Sequence, residues 1–206
     1  MFFLISGSAA SGKTTLVRGL PTLLTRVVCH DADERVATTG AERCAQLEQW
    51  VADALLAQQT GDDFLLTSNS PLGELLACPS APGLASIAAC VLDCADQVRV
   101  VRLRARGIDP DWPPSQHLLN WASWHRLHAW DPQWEPHVIT GNGPATHRYD
   151  RWRSWQQGDP RWQVDLLDTT TLTIDETLHW LAAWVERKRN VPVALTAANR
   201  WWETSC

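Results

Sequence analysis

Apolar residues along this chain fall into short runs separated by longer segments of helical period. Residues 2–6 read as a buried strand, and 13–24 as a helix broken near Pro21. A second strand is predicted over 27–31. A helix over 41–59 follows, with Cys44, Leu47, Val51, Leu55 and Leu56 spaced for one apolar face. Residues 64–67 form a third strand and 73–77 begin a helix that the turn-rich 79–83 interrupts. The run 88–94 is almost wholly apolar, as central parallel strands are. A helix over 96–106, a strand over 164–167 and a helix over 173–188 complete the pattern, the last with Thr173 and Glu176 at capping-box spacing. Strand–helix alternation predicts an α/β fold: three layers, a parallel sheet with helices on both faces. The stretch 107–160 resists this pattern, its clearest helix being 115–130, and reads as a cap inserted into a single domain spanning 1–206.

Composition changes the picture in the second half. Tryptophan occurs 13 times, against one Tyr and three Phe, and all but Trp50 lie at or after Trp112. Charged residues are 20% and hydrophobic residues 45%, which excludes a disordered or coiled-coil chain. The net charge of -5 and the lack of a long basic run argue against a nucleic-acid binder. Six cysteines make no CxxC pair, which points to reduced thiols rather than a zinc site. Met1 to Ile5 is apolar but has no basic flank and is too short for a leader, and no run nears the ~18 apolar residues of a membrane span. The expected compartment is the cytoplasm, with no membrane partner.

The loop Gly7-Ser8-Ala9-Ala10-Ser11-Gly12-Lys13-Thr14 satisfies GxxxxGK[ST], with a strand before it and a helix after. Gly7 and Gly12 let the backbone curl so that successive N–H groups point inward at phosphate oxygens. Lys13 places a cation at the outer phosphates, Thr14 offers a hydroxyl to magnesium, and Thr15 continues the first helical turn. The loop therefore predicts a nucleoside triphosphate bound with magnesium.

Asp31 and Asp33 follow the second strand, where two carboxylates at i and i+2 of an extended segment share a face. Asp31 is a candidate to orient magnesium or to deprotonate an acceptor hydroxyl, and Asp33 to hold the acceptor; a solvated loop with a helix cap is the plainer alternative. The third strand ends in Thr67, Ser68 and Asn69 without the Asp that often holds magnesium there, and Asn69 is a candidate acceptor contact. Arg99, Arg102, Arg104 and Arg106 decorate one helix. Arg102 and Arg106 share a face and are candidates to stabilise charge on a transferred phosphoryl group; a solvated basic face is the alternative.

Together these residues resemble the P-loop small-molecule and nucleoside kinases, the group that includes shikimate, gluconate and nucleotide kinases. The resemblance rests on GSAASGKT, on Asp31-Ala32-Asp33 as a DxD element, on VRVVRLRAR (98–106) as the arginine helix leading into a lid, and on LLDT (166–169) as the last strand and its loop. It covers roughly 1–106 and 162–188. It implies ATP and magnesium, a sheet of order 2-3-1-4-5, phosphoryl transfer to a hydroxyl or phosphate, and an adenine flanked by Asp168, Thr169 and Thr170. The missing Asp after strand three departs from the group's usual pattern and leaves the acceptor unidentified.

Within the insertion, His117, Trp121, Trp124, His125 and His128 fall on one helix face, with Arg126 just off it, and Arg148, Arg151 and Arg153 lie among later tryptophans. Trp121, Trp124, His125 and Arg126 are candidate acceptor contacts, since stacked rings suit a base or sugar and arginines suit phosphate or carboxylate. The same rings would equally build a small cap's own core. Trp201 and Trp202 suggest either a homodimer interface or a disordered end. The reading favoured over a partner-binding ATPase or a polynucleotide-end kinase is a kinase with a small-molecule acceptor and a closing lid.

Overall fold

The structure, a computed structural model, describes residues 1–106, 116–141 and 143–203. Trp112, the expected helix start at Ser115, and Cys206 lie outside the described residues. Five parallel strands, β1 (Phe2–Ser6), β2 (Val27–Asp31), β3 (Asp63–Ser68), β4 (Ile87–Asp93) and β5 (Val164–Asp168), stand in the order β2-β3-β1-β4-β5. The helices are α1 (Lys13–Gly19), α2 (Gly40–Gln59), α3 (Leu72–Ala77), α4 (Asp96–Ala105), α5 (Gln116–Trp130), α6 (His137–Thr140) and α7 (Ile174–Asn190). Pro21 ends α1 in a short 3-10 turn, Leu20–Thr22, because a proline inside the helix removes a donor and crowds the preceding turn.

Strand periodicity builds two cores. Phe2, Leu4, Phe64, Leu66, Ile87 and Ala89 face α2 and α3; Phe3, Ile5, Leu65, Ala88, Cys90 and Leu92 face the other way, toward α1 and α7. Helix α2 buries Cys44, Leu47, Trp50, Val51 and Ala54. Leu56, expected on that face, is 61% exposed, since it falls about 120° round the helix from Cys44. Thr173 and Glu176 form the expected capping box at α7, with Thr173 N donating to Glu176 Oε2 at 2.8 Å.

The Trp-rich region does not make a core of its own. Trp124, Trp152, Trp155, Trp162 and Trp201 join the cluster that covers the α2 and α3 face of the sheet. Trp152 Nε1 donates to Gly73 O at 2.8 Å, and Trp162 Nε1 to His128 O at 3.2 Å. Trp201 is buried edge-on to Trp155, so neither an exposed interface ring nor a disordered end describes it. Among the described residues no helix is long and apolar enough to cross a membrane.

Candidate active site

Parallel pairing brings the carboxyl ends of all five strands to one edge, where Ser6 lies beside Ser68 and Val91, Asp31 beside Thr67, and Asp93 beside Asp168. The phosphate loop curls there. Gly7 N donates to Ser68 O at 3.2 Å, and a Cβ on Gly7 would stand 2.4 Å from Leu92 O, so only glycine passes. Ala10 is held at φ 62, a left-handed conformation that a non-glycine residue adopts only under constraint. Lys13 curls over its own loop, its Nζ donating to Gly7 O at 2.6 Å and Ser8 O at 3.0 Å. Burial lowers its pKa to about 8, with Asp33 and Asp31 opposing the shift. The hydroxyls of Ser8 and Ser11 are buried without a partner among the described residues. Thr14 is half-buried and Thr15 exposed.

Asp31 ends β2 and caps the 3-10 turn Ala32–Glu34. Its Oδ1 accepts from Asp33 N at 3.1 Å, and its own N–H donates to Glu34 Oε1 at 2.9 Å. The two aspartates are therefore not on one face of an extended segment, because Asp31's cap turns the chain. The helix-cap alternative describes one oxygen only: Asp31 Oδ2 is buried without a partner among the described residues. These orphaned oxygens, with the curled backbone and the Thr14 hydroxyl, fit a magnesium-bound triphosphate, since magnesium takes few protein ligands beside phosphate oxygens and water.

Asp93, at the end of β4, joins three elements. Arg99 NH2 donates to its Oδ1 at 2.5 Å, and Arg126 of α5 donates to its Oδ2. Arg99 is fully buried and also donates to Ala9 O at 2.6 Å, bracing the phosphate loop rather than decorating a solvated face. Arg102 donates to Thr169 Oγ1 at 2.9 Å and Thr169 O at 2.7 Å, and reaches Ala10 O at 3.5 Å. Arg102 and Arg106 line a pocket of about 240 Å3 with Gly12, Thr15, Thr169 and Ile174. Asp168 accepts from Thr170 N at 2.8 Å and holds that loop in a turn.

On the other side of the phosphate loop lies a cleft of about 680 Å3. Ser8, Ala9, Asp33, Ser68 and Asn69 line it from the sheet edge; His117, Leu118 and Trp121 of α5, with Val138 and Ile139 of α6, line it from the insertion. Neither Arg102 nor Arg106 faces it. Glu74, fully buried, takes Arg43 in a bidentate pair, Nε to Oε2 at 3.0 Å and NH2 to Oε1 at 2.5 Å. Arg43 lies 5.3 Å from the Trp121 ring centre.

The insertion's rings divide. Trp121 reaches the cleft. Trp124, a candidate contact by sequence, is a core ring instead: it is sandwiched between Trp121 at 4.9 Å and His128 at 4.7 Å, and its Nε1 donates to Glu135 O at 3.1 Å. No face of Trp124 is left for a ligand. His125 is buried, and Arg126 sits on Asp93. Arg148 pairs with Asp150, and Arg151 donates to Leu76 O and Cys78 O at 2.9 and 2.6 Å, capping the end of α3 rather than meeting an acceptor. Sequence reasoning missed Asp93, Arg43 and Glu74. An Asp closing an apolar central strand was the available signal for the first; the pair joins α2 to α3 and left none.

The architecture is that of the P-loop nucleotide and small-molecule kinases: sheet order 2-3-1-4-5, a phosphate loop after β1, and a helical insertion before β5. A solved sugar kinase from Janibacter sp. HTCC2649 is similar over 92% of this chain and 96% of its own, at a TM-score of 0.55 and 13% identity. The solved protein APE1195 is similar over 91% and 95%, at 0.54 and 18%. At such identities the likeness is one of fold. No protein-family model and no curated protein matches the chain.

Proposed function

We propose that this protein is an ATP-dependent kinase that transfers the γ-phosphoryl group to a hydroxyl, or a phosphate, of a small molecule. One observation carries the reading: the phosphate loop is itself part of the acceptor cleft, so Ser8, Ala9 and Asp33 look into the same 680 Å3 space beside Lys13. That volume suits a sugar- or nucleoside-sized acceptor. Residues Gly7 to Thr15 hold the phosphates, and Lys13 stabilises charge on the transferring group. Thr14 would hold the magnesium and Asp31 Oδ2 would orient one of its waters; the ion, when bound, neutralises the triphosphate and makes phosphorus a better electrophile. The same Asp31 oxygen is the available base for an acceptor proton, and Asp33 and Asn69 orient the acceptor. Arg102 and Arg106, on the nucleotide side, hold the nucleoside together with Asp168 and Thr169 rather than the transferring group. Five free thiols among the described residues, four of them buried, and ATP dependence fit a cytoplasmic protein.

The test is a thermal-shift screen of sugars, nucleosides and antibiotics with magnesium-ATP present, sugars first because of the fold likeness, followed by transfer assays on the hits. Lys13→Ala should lower transfer at least about 100-fold. The fold should survive, since Lys13 is a buried cation whose removal relieves desolvation. Wild-type transfer by a folded Lys13→Ala protein would sink the assignment.

A further inference from the structure

His125 differs from every other histidine of the insertion. It lies in α5 and is 1% exposed, and both Nδ1 and Nε2 are buried without a partner among the described residues. One turn on, His128 is a core residue: its ring stacks on Trp124 and its Nδ1 meets Trp134 O at 3.3 Å. An imidazole carries one N–H and one lone pair at minimum, and native interiors rarely leave both unmatched. The basic groups that act on His125 are Lys13, Arg43 and Arg99, with His128 joining them only where acid protonates it. Burial and these cations, Lys13 foremost, push its pKa down to about 3, so the ring is neutral at physiological pH. Arg43 and Arg99 are each already paired with a carboxylate, Glu74 and Asp93, which leaves the Lys13 ammonium as the cation acting on this neutral donor without a carboxylate partner of its own.

The helix that carries His125 is fixed to the phosphate loop. Arg126, the next residue, holds Asp93; Arg99 holds the same carboxylate and donates to Ala9 O. We propose that His125 is the insertion's contact to the transferring phosphoryl group, one ring nitrogen donating its N–H to a γ-phosphoryl oxygen opposite Lys13. This rests on the kinase reading and deepens it. The bond breaking and forming is unchanged: the acceptor oxygen gains the phosphoryl group, ADP leaves with the bridging oxygen, and the acceptor proton passes to the base. His125 neither gains nor loses a proton; it stabilises charge by hydrogen bonding.

The experiment measures affinity for magnesium with ADP and with the non-hydrolysable imido analogue of ATP. It compares the wild type with His125→Phe, His125→Asn and His125→Gln, and records 15N shifts of the histidine rings in the wild type. His125→Phe, which keeps the core filled, should lower affinity for the triphosphate about tenfold and leave ADP unchanged. Asn keeps an N–H near Nδ1 and Gln near Nε2, so one of them should recover most of the loss and show which nitrogen donates. In the wild type the His125 nitrogens should shift with the triphosphate and not with ADP. Equal losses for both nucleotides, no loss, or ring shifts indifferent to the third phosphate would overturn the proposal. Those spectra decide even if every variant misfolds. A wild type that binds neither nucleotide would remove the kinase reading itself, a distinguishable result.

Discussion

Lys13 is caught between its burial, which favours the neutral amine, and Asp31 and Asp33, which favour the cation. Its pKa of about 8 sets a pH dependence whose sign follows from linkage. A bound triphosphate favours the charged form and raises that pKa. Affinity should therefore be flat below about pH 8 and fall above it, by up to about tenfold per pH unit, until the complex itself titrates. Calorimetric titration of magnesium-ATP from about pH 7.5 to 9.5 checks this, and an unchanging affinity would contradict it. Lys13, Gly7 and Thr14 were legible because their chemistry is written in eight consecutive residues. Asp93 with Arg99 and Arg126, and Arg43 with Glu74, were not. Each joins residues that only the folded sheet brings together, and a single sequence holds no sign of which arginine meets which carboxylate.

Among elements, the strands were the most readable: β1 and β4 are buried throughout and so must be apolar almost throughout, and the edge strands still carry short apolar runs. β1 and β2 fall where the apolar runs place them, and α2 begins one residue earlier than its periodicity suggested. The insertion was the least readable, because α6 has only four residues and the segments around it are positioned by ring packing. The seam between α3 and Trp152 shows how tight that packing is. A Cβ on Gly73 would stand 2.8 Å from the Trp152 ring and 3.1 Å from Ile139 Cδ1. Gly73→Ala should therefore cost about 1–3 kcal/mol despite its better helix propensity, measured by urea denaturation. Because Ile139 lines the cleft beside the phosphate loop, the proposed function expects the acceptor's KM to rise with it. A neutral or stabilising substitution would show that the rings give way at no cost.

At the scale of the molecule, acid weakens the fold through histidines kept neutral inside it. Burial lowers the pKa of His125 to about 3 and of His128 to about 4, against 6.5 for the free side chain. Below pH 6.5 the unfolded chain takes up protons that the folded chain refuses, so stability present above 6.5 is lost as pH falls toward those values. At pH 5 the loss is on the order of 2 kcal/mol per histidine. Urea midpoints at pH 7 and pH 5 should differ accordingly, and less so in His128→Leu; a pH-independent midpoint would refute the account. Trp124, Trp152 and Trp155 of the insertion sit in the same cluster as Phe2, Leu4 and Leu66, with Trp121 and Ile139 of the cleft lining packed in it or against it, so the wall of the cleft beside the phosphate loop is continuous with the interior of the sheet. A hinged cover can be traded between related enzymes as a module, and its owner keeps its melting temperature. On the proposed function, acceptor preference and thermal tolerance are here one trait. A chimaera that exchanges residues 116–162 with the corresponding segment of another protein of this fold should not fold unless the facing residues of α2 and α3 travel with it, which thermal melts of the two exchanges check: equal melting temperatures would contradict the shared core.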